Sequence, residues 1–229
     1  MVARCTAALQ VTGATAAATA AEVYVYDVRH PVYGQIGIYT DTLERTAAGW
    51  HLETRLQVTV RLLGLVLHRE EAHHDAVWQR GRLVRFHGVT TTNGTTVELR
   101  GEASGDVFVL TSPSGTRTVP GDIVSSTPWF ARSGPGTLMS TKTGRIDRAY
   151  CTDFGEGVIA LHGVELTARH FELISDKRQE AWLIQTGVPV RFRSYESGTP
   201  IDFELTADAL RGLGFTLPSS DPNPPLRGN

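Results

Sequence analysis

The chain has 229 residues, with 22 Lys and Arg against 24 Asp and Glu and a formal net charge of −2, and 41% of its residues are hydrophobic. This length is enough to bury a core without metal ions or disulfides as staples. Charges of both signs are interspersed, so no basic stripe favours a nucleic-acid partner, and the longest aliphatic run, Leu62 to Leu67, is too short for a transmembrane segment.

Residues 1–21 differ in composition from the rest of the chain. They begin with a single basic residue, Arg4, continue through a weakly apolar Ala/Thr stretch and end on small residues. This order resembles a secretory signal peptide cut after Ala20 or Ala21, and a disordered start is the alternative. The first interpretation predicts a periplasmic or secreted protein. Cleavage of the signal peptide would leave Cys151 as the single thiol, so no internal disulfide is expected.

From residue 22 onward, polar and apolar residues alternate in runs that turn residues interrupt. In the segment 51–62, HLETRLQVTVRL, the alternate positions from Leu52 to Leu62 are almost all apolar, and the positions between them are charged or polar. This period of two is typical of strands with one face on a core or concave lumen. Turn signals such as Asn93-Gly94 recur at short spacing, which suits an antiparallel meander.

The predicted fold class is therefore mostly β: a single strongly curved antiparallel sheet or open barrel with hairpin connections, in one domain over residues 22–215. We predict strands near residues 22–30, 34–45, 50–62, 65–78, 82–91, 95–104, 106–112, 115–119, 146–152, 157–174, 179–186, 188–195 and 200–206.

Two segments do not follow the strand pattern. Residues 120–144 are rich in Gly, Pro, Ser and Thr, and they predict one long loop that starts with a helical turn capped by Asp122. After the last strand, Thr206 is a predicted helix start, with a stop at Gly212 or Gly214. Residues 216–229 form a proline-rich tail, which cannot extend a strand ladder.

The segment 68–75, HREEAHHD, places three histidines and three carboxylates in eight positions. On a strand, His68, Glu70 and His74 point to the same side. His87 is the nearest further ligand, so these four residues are the candidate metal site. The alternative is a polar strand face in water, where a nearby Glu70 would raise the pKa of His68 and His74.

A second candidate site is an apolar surface on the concave face. Trp129 follows a proline in the predicted loop, where it would either close a lipophilic cavity or plug the end of its own sheet. The predicted ligand-binding residues are Leu56, Val58, Val60, Leu62, Trp129, Phe130 and Trp182.

Several landmarks over residues 22–206 resemble those of an uncharacterised bacterial family of exported β proteins, a domain of unknown function. They include IGIY, HLETRLQVTVRLL, AVWQRGRLVRF with Trp78 and Gly81 in a Trp-x-x-Gly-x-Leu hairpin, SSTPWF, and a late hairpin with Trp182 and Gly187. A looser similarity is to periplasmic lipoprotein carriers, whose curved sheets receive acyl chains. That resemblance implies a concave apolar face. It is an analogy between folds and not between sequences.

Three functions follow as hypotheses. The first is a non-enzymatic cell-envelope protein that binds a hydrophobic small molecule or lipid and needs no cofactor. The second is a structural or interaction domain, with envelope proteins as partners and a sheet interior filled by side chains. The third is a metal-dependent enzyme that uses the cluster from His68 to Asp75. The first hypothesis requires a cavity of at least roughly 300 Å³, whereas the second requires none.

Overall fold

A computed structural model describes residues 20–130 and 132–218 of the chain, except for the side chain of Phe130. The described residues exclude 1–19 and 219–229. Nearly all of the predicted signal peptide and most of the predicted proline-rich tail therefore lie outside them. Within the described residues, no helix has the length and apolar character that a membrane span needs.

The described residues form fifteen strands and one short helix. The first eight strands are β1 Glu22–His30, β2 Gly34–Thr46, β3 Gly49–Leu62, β4 Leu65–Gln79, β5 Arg82–Thr92, β6 Thr95–Ser104, β7 Val107–Ser112 and β8 Gly115–Pro120. The remaining elements are β9 Val124–Ser125, β10 Gly134–Met139, β11 Ile146–Leu161, β12 Val164–Ile174, β13 Arg178–Leu183, β14 Pro189–Glu196, β15 Thr199–Leu205 and α1 Ala207–Gly212.

All fifteen strands belong to one sheet with two arms. β1 pairs with β2 on one side, and the first arm continues in chain order to β8. β1 pairs with β15 on the other side, and the second arm runs back from β15 to β9. β8 and β9 are not paired with each other, so the sheet is open. The predicted fold class, a mostly β protein with one large open sheet and a short C-terminal helix, is confirmed.

The sheet curls until its two arms face each other. Met139 of β10 shares a core cluster with Phe86 and Leu99 of the first arm, and the Lys142 ammonium lies 2.5 Å from a carboxylate oxygen of Glu70 on β4. A curled sheet of this kind buries apolar side chains on its concave face. The structure has two such clusters of buried side chains. The first includes Tyr26, Leu43, Val190 and Leu205. The second includes Trp78, Phe86, Phe108 and Met139.

The predicted long loop over residues 120–144 is wrong in part, because the segment contains β9, β10 and a 3₁₀ turn at Pro128–Phe130. No helical turn begins at Asp122. β10 pairs with β11 along six residues, from Gly134 to Met139. Glycine and proline occupy its first half and few of its side chains are buried, so the strand has no alternation that a sequence pattern could reveal.

The predicted strand over 157–174 is also wrong, because a two-residue turn at His162 and Gly163 divides it. Both residues have positive φ, 49° and 79°, as a two-residue hairpin turn requires. β11 correspondingly extends from Ile146 to Leu161. The C-terminal helix does start where the sequence predicts, since the Thr206 hydroxyl accepts a hydrogen bond from the backbone N–H of Ala209.

Gly37 on β2 marks a close approach of two backbones. A Cβ at this position would lie 2.1 Å from the carbonyl oxygen of Gln57 and 2.9 Å from the Cα of Val58. The pairing of β1 with β2 also shifts register at this level, between Val28 and Arg29. A glycine in a strand interior usually indicates such a bulge or close contact.

We predict that Gly37→Ala destabilises the protein by about 1–3 kcal/mol, because the added methyl group must displace the backbone of β3. Gly157→Ala on β11 is the matched control, since a Cβ there meets no heavy atom within 4 Å. It should change the free energy of unfolding by less than about 0.5 kcal/mol. Urea unfolding of both variants measures the difference, and equal effects would contradict the close approach.

Candidate ligand cavity

A cavity of about 700 Å³ lies between the two arms of the curled sheet. The first arm contributes Tyr39, Leu56 and Ala72 to its wall. The second arm contributes Leu138, Ala149, Cys151, Phe171, Leu173, Phe192 and Phe203. The volume lies within the range of about 300–1,000 Å³ that small-molecule sites occupy. A concave apolar wall with room for a ligand is therefore present in the described residues.

Three aromatic rings give the wall of the cavity a fixed shape. Phe192 and Phe203 stack with ring centroids 4.3 Å apart and an interplanar angle of 11°. The ring of Tyr39 meets both of them edge to face, at 5.2 Å and 5.5 Å. These residues come from strands of both arms, so the order of the strands brings them together. Packed aromatic rings offer a large apolar surface that loses little entropy when a ligand binds.

Ion pairs line the end of the cavity where the chain turns between β10 and β11. Lys142 pairs with Glu70 at 2.5 Å, and Arg145 pairs with Asp147 at 2.8 Å. A third pair at this end, Lys177 with Glu196 at 2.7 Å, joins the turn before β13 to the end of β14. Each of these three cations has a carboxylate partner, whereas Arg132, which also lines the cavity, lies 3.5 Å from the carbonyl oxygen of Gly81.

Asp41 on β2 is a fully buried carboxylate that holds the segment between β9 and β10 against the sheet. The Thr54 hydroxyl donates to one oxygen of Asp41 at 2.5 Å, and the Trp129 indole N–H donates to the other at 2.6 Å. The Trp129 ring also contacts that of Tyr24, with centroids 5.1 Å apart. Burial raises the pKa of Asp41 from 3.8 to about 6, although these hydrogen bonds oppose the shift.

His74 on β4 lines the cavity and is almost completely buried. Its Nε2 lies 3.0 Å from the Thr90 hydroxyl. Burial, and to a smaller extent the nearby His73, lower the pKa of His74 to about 4. The expectation that Glu70 would raise the pKa of His74 is therefore wrong. Glu70 pairs instead with Lys142 and with the Nε2 of His68, the latter at 3.4 Å.

The four predicted metal ligands do not converge. His87 is paired in register with Asp75, so it lies on the face opposite to His74, and its Nε2 lies 3.0 Å from a carboxylate oxygen of Glu98. In residues 20–130 and 132–218, no group of three or more His, Cys, Asp and Glu side chains is arranged to hold a metal ion. On the outer face, His73 pairs with Glu53 at 2.8 Å, and His51 lies between the carboxylates of Glu44 and Asp75.

The predicted ligand-binding residues are divided among several environments. Leu56 lines the cavity, whereas Val58, Val60 and Trp129 are buried in the adjoining core. Leu62 is exposed to solvent at the end of β3. The side chain of Phe130 lies outside the described residues.

Trp182 faces away from the cavity. It is paired in register with His170, whereas the neighbouring Ala181 is paired with Phe171 on the cavity side. Its ring stacks on the imidazole of His170 at 4.6 Å, and the Arg191 guanidinium lies 5.3 Å from the ring centroid. Trp182 therefore does not line the cavity, and it is partly buried against the first core cluster.

Sequence reasoning missed most of the aromatic wall. Phe192 and Phe203 each stand between two charged residues, in RFR and DFE. That alternation indicates an inward-facing aromatic side chain on a strand, so it could have identified both residues. It carries no information about which strands would face each other.

The fold and the cavity define a class of protein: an open, curled antiparallel sheet whose two arms enclose an apolar cavity. The crystal structure of a β-barrel-like protein of the domain of unknown function DUF1849 from Brucella abortus is similar, with a TM-score of 0.63 and 11% sequence identity. The alignment covers 80% of this chain and 94% of that chain. At this identity, the likeness shows the fold alone.

Residues 33–206 match the domain of unknown function DUF6134, and the chain belongs to this family. The resemblance to an uncharacterised domain family is thereby confirmed. No curated protein sequence matches the chain.

We predict that Asp41 makes the protein less stable as pH rises from about 4 to about 6, because the buried carboxyl keeps its proton after the unfolded chain has lost it. Asp41→Asn preserves a hydrogen-bonding group that cannot ionise. Over that range, the free energy of unfolding of wild type should fall by up to about 3 kcal/mol relative to that of this variant, because the pKa shift is about two units. Urea unfolding at a series of pH values measures the difference, and a constant difference would contradict the shift.

The pH dependence that we predict for His74 has the opposite sign. The pKa of His74 is lowered from 6.5 to about 4, so its stabilising contribution is complete above pH 6.5 and is lost as pH falls towards 4. Over this range, the free energy of unfolding of wild type should fall by up to about 3 kcal/mol relative to that of His74→Gln. A raised pKa of His74, measured by NMR titration of its ring protons, would contradict the burial.

Proposed function

We propose that this protein is a non-enzymatic binding protein whose cavity holds an apolar small molecule or a lipid chain. The observation that carries the proposal is the cavity of about 700 Å³ with an aromatic wall that includes Phe192 and Phe203. Such a volume exceeds the roughly 300 Å³ below which ordinary ligand sites are rare. A sheet whose interior served only as packing would fill this space with side chains.

The charges around the cavity favour a neutral or weakly polar ligand. Lys142 and Lys177 at the rim already have carboxylate partners within 2.7 Å. An anionic ligand would have to displace Glu70 or Glu196 to reach these cations, and a buried or half-buried carboxylate left without its partner is costly. Apolar contact with the wall is then the main source of affinity.

The titratable groups near the cavity support binding rather than catalysis. The Cys151 thiol is buried and its pKa is raised by that burial, which makes it a weak nucleophile. The imidazole of His74 contacts the Thr90 hydroxyl, but its pKa is lowered to about 4 by burial, which makes it a weak base towards that hydroxyl. Asp41 is committed to Thr54 and Trp129. A metal-dependent enzyme built on residues 68–75 is the less supported function.

The location that we propose is the periplasm or the extracellular space. The composition of residues 1–21 supports it, since a basic start and small residues near Ala20 are typical of a secretory signal peptide. N-terminal sequencing of the protein from its host is the test. A mature chain that starts near Glu22 in the envelope or secreted fraction supports export, and an intact Met1 in a cytosolic fraction contradicts it.

We predict that Ala72→Phe abolishes binding of an apolar ligand. Ala72 lies in the cavity wall, so the new ring enters open space and occupies part of the site. The affinity for N-phenyl-1-naphthylamine, an uncharged fluorescent apolar probe, should fall at least about tenfold because lost apolar contact weakens binding. The melting temperature should change little, since larger side chains are tolerated where space exists.

Ala76→Phe is the matched control for this variant. Ala76 lies on the same face of β4, four residues further along, but it is packed in a core cluster with Trp78 and Phe86. The same substitution there should destabilise the fold by about 1–3 kcal/mol or more. Equal destabilisation by both substitutions would favour the alternative function, a structural or interaction domain with a filled interior. A wild-type protein that does not bind N-phenyl-1-naphthylamine would contradict the proposed function.

A further inference from the structure

The hairpin that joins β3 to β4 carries a continuous group of exposed aliphatic side chains. Leu63 at its turn is 95% exposed and Leu65 is 70% exposed. The other members of this group, which we call the leucine hairpin, are Leu62, Val66 and Leu67, each about half exposed. Scattered exposed apolar residues are ordinary, but a contiguous group on one projecting element indicates an interaction surface.

The leucine hairpin projects beyond the strands beside it. The last residue of β3 that pairs with β2 is Val58, opposite Gly37. On the other side, the last pair of β4 with β5 joins Glu70 to Thr92. Within residues 61–67, Arg61 pairs with Val66 and Leu62 pairs with Leu65, and Leu62 lies about 13 Å past Val58 at the usual rise per residue. The hairpin is therefore surrounded by solvent rather than packed on its own sheet.

Aliphatic side chains occupy both faces of the leucine hairpin as well as its turn. Leu62 and Leu65 form one cross-strand pair, and Arg61 and Val66 form the next. Neighbouring pairs along a hairpin point to opposite faces. A groove on a partner protein would cover one face and leave the other in water. A bilayer interface surrounds an inserted hairpin on every side, so it can cover all five side chains.

The charges next to the leucine hairpin suit a lipid surface with anionic headgroups. From Thr54 to Arg69 the sequence contains three arginines and no acidic residue. Arg55 and Arg69 are paired with Glu53 and Glu71, at 2.7 Å and 2.6 Å. Arg61, within the hairpin, forms no ion pair among the described residues, so it is the cation available to a headgroup. Basic side chains that flank an apolar tip bind lipid headgroups while the tip enters the acyl region. The adjacent turn between β1 and β2 adds a second apolar tip, in which Val32 is 77% exposed and Tyr33 is partly exposed.

We infer that the leucine hairpin inserts into the interface of a lipid bilayer and holds the mouth of the cavity against the membrane. Glu70, whose carboxylate pairs with Lys142 at the cavity rim, lies three residues from Leu67 on the same strand. Insertion of the hairpin would therefore bring the mouth close to the headgroups. This docking needs no ligand in the cavity, so it stands or falls separately from the proposed function.

Flotation of the full chain with lipid vesicles tests the inference. The vesicles contain equal parts of phosphatidylcholine and phosphatidylglycerol, with pure phosphatidylcholine vesicles for comparison. Wild type should float with the mixed vesicles, and Leu63→Ser/Leu65→Ser should bind at least about tenfold more weakly because its tip is polar. Circular dichroism should show that the variant is folded, since both side chains are already in solvent.

Val158→Ser is the matched control for the hairpin variant. Val158 is 67% exposed but lies near the other end of the sheet, towards the turn between β11 and β12. Its flotation should equal that of wild type. The inference is overturned if wild type stays unbound with both vesicle types, or if both variants bind like wild type. It is also overturned if sedimentation shows that the hairpin variant converts a dimer to a monomer while vesicle binding is unchanged, because the tip would then join two copies of the chain.

Discussion

The buried carboxylate of Asp41 is the constraint on which the shape of the molecule depends. Asp41 lies on β2 of the first arm. It accepts a hydrogen bond from the indole N–H of Trp129, which belongs to the segment between β9 and β10 of the second arm. Because burial of an unsatisfied carboxylate is costly, Asp41 favours the curled arrangement in which its hydrogen bonds are complete. The two ends of the sheet are not paired with each other, so such contacts between the arms maintain the cavity.

His74, a polar side chain in the wall of the cavity, is hydrogen-bonded to Thr90. A ligand therefore meets mainly apolar surface, which the rings of Phe192 and Phe203 hold in place. The rim of ion pairs separates this surface from solvent, and Glu70 connects the rim to the strand that bears the leucine hairpin. In the two proposals, binding and membrane docking use neighbouring parts of one strand, β4, without sharing side chains.

Local alternation predicted the strands whose two faces have different surroundings, of which residues 51–62 are the clearest case. It failed at Gly134–Met139, where glycine and proline replace the alternating residues and β11 supplies the pairing. It failed again at His162 and Gly163, because the turn between β11 and β12 is only two residues long and hardly interrupts the alternation. The pattern of alternation within a strand could not predict the cavity, for a different reason. Leu56 and Phe171 share its wall only because the arms curl, and no pattern within one strand encodes that approach.

Native mass spectrometry of the full chain, purified from its own host without detergent, tests the central claim most directly. The account predicts a species heavier than the protein by the mass of one apolar molecule, which organic extraction releases for identification. The same preparation of Ala72→Phe should lack that species. A wild-type protein that shows only the mass of the chain, and that acquires no adduct when incubated with fatty alcohols or phospholipids, would contradict the claim that the curled sheet encloses a ligand site.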